Sequence, residues 1–260
     1  MKNKFLKSIM GRSLFYLATD ILSKILPFAL LPYIANQLGI EEYGSFSLFL
    51  ALTAALYIIV GMSTFNAINI AFFSKNKWEE LTVNLVIFWS IIVCFLLIIL
   101  ILLGLPNVYL SALFCAYSMW VFQVLIIILQ FKEKLFFYSM YQFLRVILIA
   151  GAQFIPIFLG YKNSESLIGF YTFSMFIILL TVLVFLYKIK ILFYIKKLNF
   201  EIIKKAHIFS LPLVINNSSA WIRTSLDRFF LNYYFGAAVV GIYALGFQLG
   251  SILGVIGLSL

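Results

Sequence analysis

Charge is scarce in this chain. Asp, Glu, Lys and Arg make up 11% of its 260 residues and hydrophobic types 64%, whereas a soluble globular domain carries about 25% charged residues. Too few polar groups are present to cover a surface facing water, which excludes an ordinary soluble enzyme or binding domain. Cysteine is nearly absent. The two that occur, Cys94 and Cys115, both fall in apolar stretches, so they supply neither a disulfide framework nor a thiolate metal motif. A lone histidine, His207, gives no cluster for metal binding or proton transfer. The longest polar interruption, around Lys188 to Lys205, holds Glu201 and lysines. That is a poor basis for a metal-dependent glycosyltransferase, which needs paired carboxylates or a metal cluster outside the membrane.

Long apolar runs are what the chain has instead. Crossing the hydrocarbon takes about 20 apolar residues per helix, and the pattern predicts eight spans, at about 12–38, 43–72, 81–104, 108–131, 137–160, 166–189, 207–235 and 238–260. The first run is too long for a signal-peptide core and lacks a small-residue cleavage site, so it is expected to remain as a transmembrane helix. Pro27 and Pro32 each remove a helical donor and give that helix a reason to bend. The fold class is therefore an all-α polytopic membrane protein.

The basic residues fix an expected orientation. Of the 19 Lys and Arg, 14 lie in the N-terminal segment and the even-numbered loops: Lys2, Lys4, Lys7 and Arg12, then Lys75 and Lys77, then Lys132 and Lys134, then six between Lys188 and Lys205. Lys162 alone occupies the other set. The positive-inside rule then places the N-terminus in the cytoplasm. It also accounts for the net charge of +10 without any nucleic acid. The stretch "YIKKLNFEIIKKA" reads as an amphipathic linker on anionic membrane lipids. It divides an N-terminal unit, residues 1–190, from residues 207–260, with 191–206 as the basic cytoplasmic linker.

One piece of punctuation occurs twice. Gly39 and Gly44 recur as Gly236 and Gly241 at a shift of 197, which also pairs Ser13-Leu14 with Ser210-Leu211, Ile25 with Ile222, Phe46 with Tyr243 and Leu48 with Leu245. An even number of helices separates the copies, so both enter from one side. That is a parallel repeat, with an expected substrate cavity at the interface of its halves. Four further helices would complete the second half, and the chain is expected to be incomplete in that sense.

These same residues carry a family resemblance. The long first helix ending in "PYIANQLGIEEYG", the six-helix unit, the basic linker, and "SLPLVINNSSAWIRTSLDRFFLNYYFG" followed by "GIYAL" resemble the Wzx-type O-antigen and polysaccharide flippases. Those belong to the multidrug/oligosaccharidyl-lipid/polysaccharide exporter superfamily. The resemblance implies two six-helix lobes around a central cavity, of which this chain holds the first and two helices of the second. It implies movement of an undecaprenyl-diphosphate-linked oligosaccharide across the bacterial inner membrane by alternating access, for O-antigen or capsular polysaccharide, with no covalent chemistry. Polysaccharide polymerase and chain-length proteins are the protein partners it suggests. A multidrug exporter of the same superfamily is the alternative, and a membrane-embedded glycosyltransferase a remoter one.

Charges inside predicted spans are the candidate site. Asp20, Lys24, Arg145, Arg223, Asp227 and Arg228 would each cost at least about 2.5 kcal/mol facing lipid, so they should face protein or a watered cavity. Asp20 with Lys24, and Arg223 with Asp227, are four apart and can pair on one helix face. Arg228 is then left over. Lys24, Arg145, Arg223 and Arg228 are the expected ligands of a diphosphate, with Asn66 and Asn217 available for sugar hydroxyls. Asn69, Asn216 and the glutamines of the fourth and fifth helices are softer candidates. Asp20 and Asp227 are the candidate carboxylates for coupling to H+ or Na+; no other cofactor is implied. His207 is expected at the membrane interface.

Overall fold

In the computed structural model, residues 11, 15–17, 19, 21, 30, 33–74, 77–191 and 198–257 are described. Regular structure among them is helical throughout. After a helical stretch at 33–38 come α1 (Ile40–Ile59), a 3-10 turn (Val60–Ser63), α2 (Phe65–Phe73), α3 (Trp78–Leu102), α4 (Asn107–Phe131), α5 (Leu135–Phe158), α6 (Ser164–Lys188), α7 (Phe200–Phe235) and α8 (Ala237–Gly257). Among the described residues five segments are long and apolar enough to cross a membrane: 40–73, α3, α4, α5 and α6. The protein is an all-α polytopic membrane protein; α3 to α6 lie at the third to sixth apolar runs, and most of the first run, 12–38, lies outside the described residues. Pro27 and Pro32, and the Ser13-Leu14 and Ile25 matches of the repeat, lie outside the described residues.

Short connections make successive helices antiparallel, so the loops segregate to two ends. Lys77, Lys132, Lys134, Lys188 and Lys190 gather at one end, with Lys204 and Lys205 in the first turns of α7, and Lys162 sits at the other. At the basic end the Lys132 ammonium lies 5.0 Å over the Trp78 ring. At the opposite end Lys162 Nζ donates to Gln37 Oε1 at 3.2 Å.

The central post is α4, packed against α1, α3, α5 and α6. Trp120, Phe122, Val124, Leu125 and Ile128 are all buried. The Tyr171 ring of α6 meets Phe46 and Phe49 of α1 edge-on, at 6.2 and 5.8 Å. Outward-facing Ile91, Phe95, Ile98 and Leu102 of α3 remain exposed, as lipid demands. Lipid is as apolar as these side chains, so close packing and hydrogen bonds hold the helices together more than hydrophobic transfer does.

Two departures from the sequence expectation matter. The span at 43–72 is one helix by hydropathy but breaks at Val60–Ser63, where Gly61, Met62 and Ser63 take φ of 76°, 43° and 56°. Gly61 lies flat against the Trp120 indole, where any Cβ would overlap the ring. Left-handed backbone favours glycine, and non-glycine residues held there cost of order 1–3 kcal/mol each. Polar side chains then supply bonds that the broken helix loses, as irregular backbone in a membrane requires. Thr64 Oγ1 donates to the Gly61 carbonyl at 2.5 Å, and Asn66 Nδ2 to the Ser63 carbonyl at 3.2 Å.

The second departure is an early start for α7. Asn199 caps it, its Oδ1 accepting from the Glu201 and Ile202 amides at 3.1 and 3.3 Å. The Asn199 amide in turn donates to Asn84 Oδ1 of α3 at 2.8 Å. Residues 200–206 of the expected linker are thereby helical.

Candidate functional site

The repeated glycines meet each other. A Cβ on Gly44 of α1 would overlap the Ala237 carbonyl oxygen and lie 2.8 Å from its carbon, and one on Gly241 of α8 would overlap the Ile40 carbonyl oxygen and lie 3.0 Å from its carbon. The contact is reciprocal under the shift of 197, since Ile40 corresponds to Ala237 and Gly44 to Gly241. The capping glycines correspond too, with Gly39 at φ 85° and Gly236 at φ 83°. Small residues let membrane helices approach to backbone contact. Here each helix start supplies the notch for the other.

From that crossing, α7 runs back along α1 and α2 and is joined to them by successive side-chain bonds. Arg228 Nη1 donates to Ser47 Oγ at 3.1 Å. Trp221 Nε1 donates to the Ala51 carbonyl at 3.0 Å. Asn217 Nδ2 donates to Ser63 Oγ, in the helix break, at 3.0 Å. On α8, Gln248 Oε1 accepts from the Tyr43 hydroxyl of α1 at 2.8 Å.

Here the charge pairing differs from the local expectation. Arg223 and Asp227 do not pair. Asp227 Oδ2 accepts from the Tyr243 hydroxyl of α8, and its Oδ1 accepts from the Arg228 amide at 2.9 Å. Arg228 is 8% exposed, its guanidinium held by Ser47 and 5.5 Å over the Phe247 ring. Arg228 is therefore engaged between helices, whereas Arg223 is exposed. The seam brings Asn66 and Asn217 together through Ser63, while Arg228 meets Ser47 about three turns further along α7. Arg145 is elsewhere, on α5, its guanidinium 5.0 Å over the Phe122 ring of α4. Asp20 and Lys24 lie outside the described residues. Among the described residues no His, Cys, Asp and Glu group could hold a metal ion.

Ser47 and Phe247 escaped the sequence reading because nothing in their own neighbourhoods marks them, and Tyr243 entered it only as the repeat counterpart of Phe46. Gly61 did carry a signal, being an isolated glycine within an apolar run.

A helical, multi-pass membrane protein with repeat-related helices crossing at paired glycines is the class defined so far. The sequence model of the family described as "Polysaccharide biosynthesis protein" matches residues 10–259, and the chain belongs to that family. It is 29% identical over 257 residues to "Lsg locus putative protein 1" of Haemophilus influenzae, covering 94% of this chain and 61% of that protein. It is 25% identical over 272 residues to an "Uncharacterized membrane protein" of the same organism, covering 97% of this chain and 63% of that one. The chain thus spans a little over three-fifths of the length of these relatives. No solved structure matches it.

Proposed function

We propose that the chain is part of a flippase that moves a lipid-linked oligosaccharide, carried on undecaprenyl diphosphate, across the bacterial inner membrane by alternating access without covalent chemistry. The observation that carries this reading is the family match over 10–259. The reciprocal glycine crossing supports its mechanical side. Two equivalent helix starts packed backbone to backbone form a seal at the end opposite the lysines, which the positive-inside rule makes the periplasmic end. Residues 1–190 are then the first lobe, and 207–260 begin the second.

In this reading Arg223 and Arg145 offer cationic grip to the diphosphate, and Lys24 is proposed beside them. Arg228 joins when α7 parts from Ser47, and Asn66 and Asn217 become free to bond sugar when the Ser63 contact opens. Asp227, hydrogen-bonded to Tyr243, and Asp20 are the proposed coupling carboxylates. The test is removal of the gene that encodes this chain. Cells lacking it should lose surface polysaccharide and accumulate lipid-linked oligosaccharide reachable from the cytoplasmic face alone. Normal surface polysaccharide in those cells refutes the reading.

A further inference from the structure

Between α3 and the first turns of α7 lies an open-sided cavity of about 490 Å³, a volume within the range of ligand sites. Phe88, Trp89 and Ile92 of α3, Met62 of the helix break and Ile203 of α7 make its walls apolar, and Lys204 brings a full charge to it. Its depth in the membrane follows from the sequence. Glu80 is the last charged residue of α3, which continues to Leu102, so the lipid-facing length of that helix begins soon after it. Asn84 Oδ1 accepts from the Asn199 amide at 2.8 Å, which puts the start of α7 level with Asn84. Both helices run from the basic end. Trp89 and Lys204, each five residues on, therefore share a level roughly 7–8 Å deeper, just inside the hydrocarbon.

Walls, mouth and a buried donor together select the occupant. Apolar walls would leave the polar groups of a sugar or a free inorganic ion unbonded; they suit a hydrocarbon chain. Lys204 is exposed, and its long stem lets the ammonium reach back to headgroup level. Its neighbour Lys205 is held by Glu201 at 2.7 Å, and Lys77, Lys132 and Lys134 lie at the same end. Charge complementarity therefore calls for an anion at the mouth. Trp89 is only 7% exposed, and its Nε1 is buried without a hydrogen-bond partner among the described residues. An indole N–H can only donate, so what it lacks is an acceptor. A glycerolipid carries ester carbonyls at this level, between phosphate and chain. A polyprenyl carrier has the phosphate and the chain but no such carbonyl.

We propose that this cavity binds one anionic glycerophospholipid of the cytoplasmic leaflet. An acyl chain lies along Met62, Ile92 and Ile203, an ester carbonyl accepts from Trp89, and the phosphate meets Lys204. The positive-inside rule makes the basic end the cytoplasmic one, and that leaflet carries the anionic lipids. The lipid bridges α3 and α7 beside the Asn84–Asn199 bond, so its binding stabilises the folded chain. The assignment does not depend on the flippase reading.

The test uses the full chain, purified in detergent, stripped of lipid and titrated with phosphatidylglycerol or phosphatidylcholine of matched acyl chains. Native mass spectrometry counts the lipid bound. One phosphatidylglycerol should bind at least tenfold more tightly than phosphatidylcholine; equal affinities overturn the assignment. Ile92→Trp, which fills the cavity, should abolish tight binding, and undiminished binding in this variant overturns the location. Lys204→Gln, at an exposed position, should erase the headgroup preference, whereas Lys205→Gln should keep it. A preference that survives Lys204→Gln overturns the proposal. Trp89→Phe should weaken both lipids alike, and unchanged affinity removes the ester carbonyl from the site and with it the case for a glycerolipid. Undecaprenyl phosphate that displaces phosphatidylglycerol at equal concentration gives the cavity to a carrier lipid and overturns the phospholipid assignment.

Discussion

Replacing Gly44 with alanine puts a methyl group where α8 already lies. The new Cβ would stand 2.8 Å from the Ala237 carbonyl carbon and 2.9 Å from the Gly241 amide nitrogen, whereas non-bonded carbon atoms settle about 3.5–4.0 Å apart. Both neighbours are backbone and cannot swing aside, so α1 and α8 must separate by roughly 1 Å. Overpacking of this kind costs typically 1–3 kcal/mol. At about 2–4 °C per kcal/mol for a chain near this size, the melting temperature of the detergent-purified protein should fall by roughly 2–12 °C. Gly241→Ala should give a similar fall, because it makes the same contact from the other side. The double variant should fall little further than either single one, since a seam already opened accepts the second methyl. Gly246→Ala, on the same helix with open space at its Cβ, is the control and should be unchanged or slightly more stable, as alanine is the better helix former. If Gly44→Ala melts with Gly246→Ala, the backbone contact is not made and the reasoning fails.

Gly61→Ala should be at least as damaging, because it adds left-handed strain to overlap with Trp120. Gly61→Ala combined with Trp120→Ala should cost less than the sum of the two single changes, because the overlap is then gone. For the cations, Arg228→Ala should destabilise by about 1.5–3 kcal/mol, the range for hydrogen bonds to charged groups. Arg223→Ala should change stability by no more than about 0.5 kcal/mol yet lower surface polysaccharide in a complementation assay; equal stability losses would contradict the different burial of the two. Reporter fusions after Lys77 and Lys134 should give cytoplasmic signals, and those after Asn107 and Lys162 periplasmic ones. A periplasmic signal at Lys134 would invert the orientation.

Composition alone determined the solvent, because a chain this poor in charge has no means of covering itself with polar groups. Run lengths then fixed where the helices lie, since spacing along one apolar run is a local property. The Gly39–Gly44 and Gly236–Gly241 match was legible as well, because both copies keep the turn and the notch that each helix start needs. What remained out of reach depended on residues distant in sequence. The break at Gly61 needs the Trp120 ring on α4 pressed against it, and hydropathy reads straight through it. Pairing rules for a single helix joined Arg223 to Asp227. In the folded chain the Tyr243 hydroxyl claims that carboxylate, and Ser47, 181 residues away, receives the Arg228 guanidinium. A helix in isolation offers its charges only each other. Packing against α1 and α8 offers them better-placed partners, and only the tertiary structure decides which are taken.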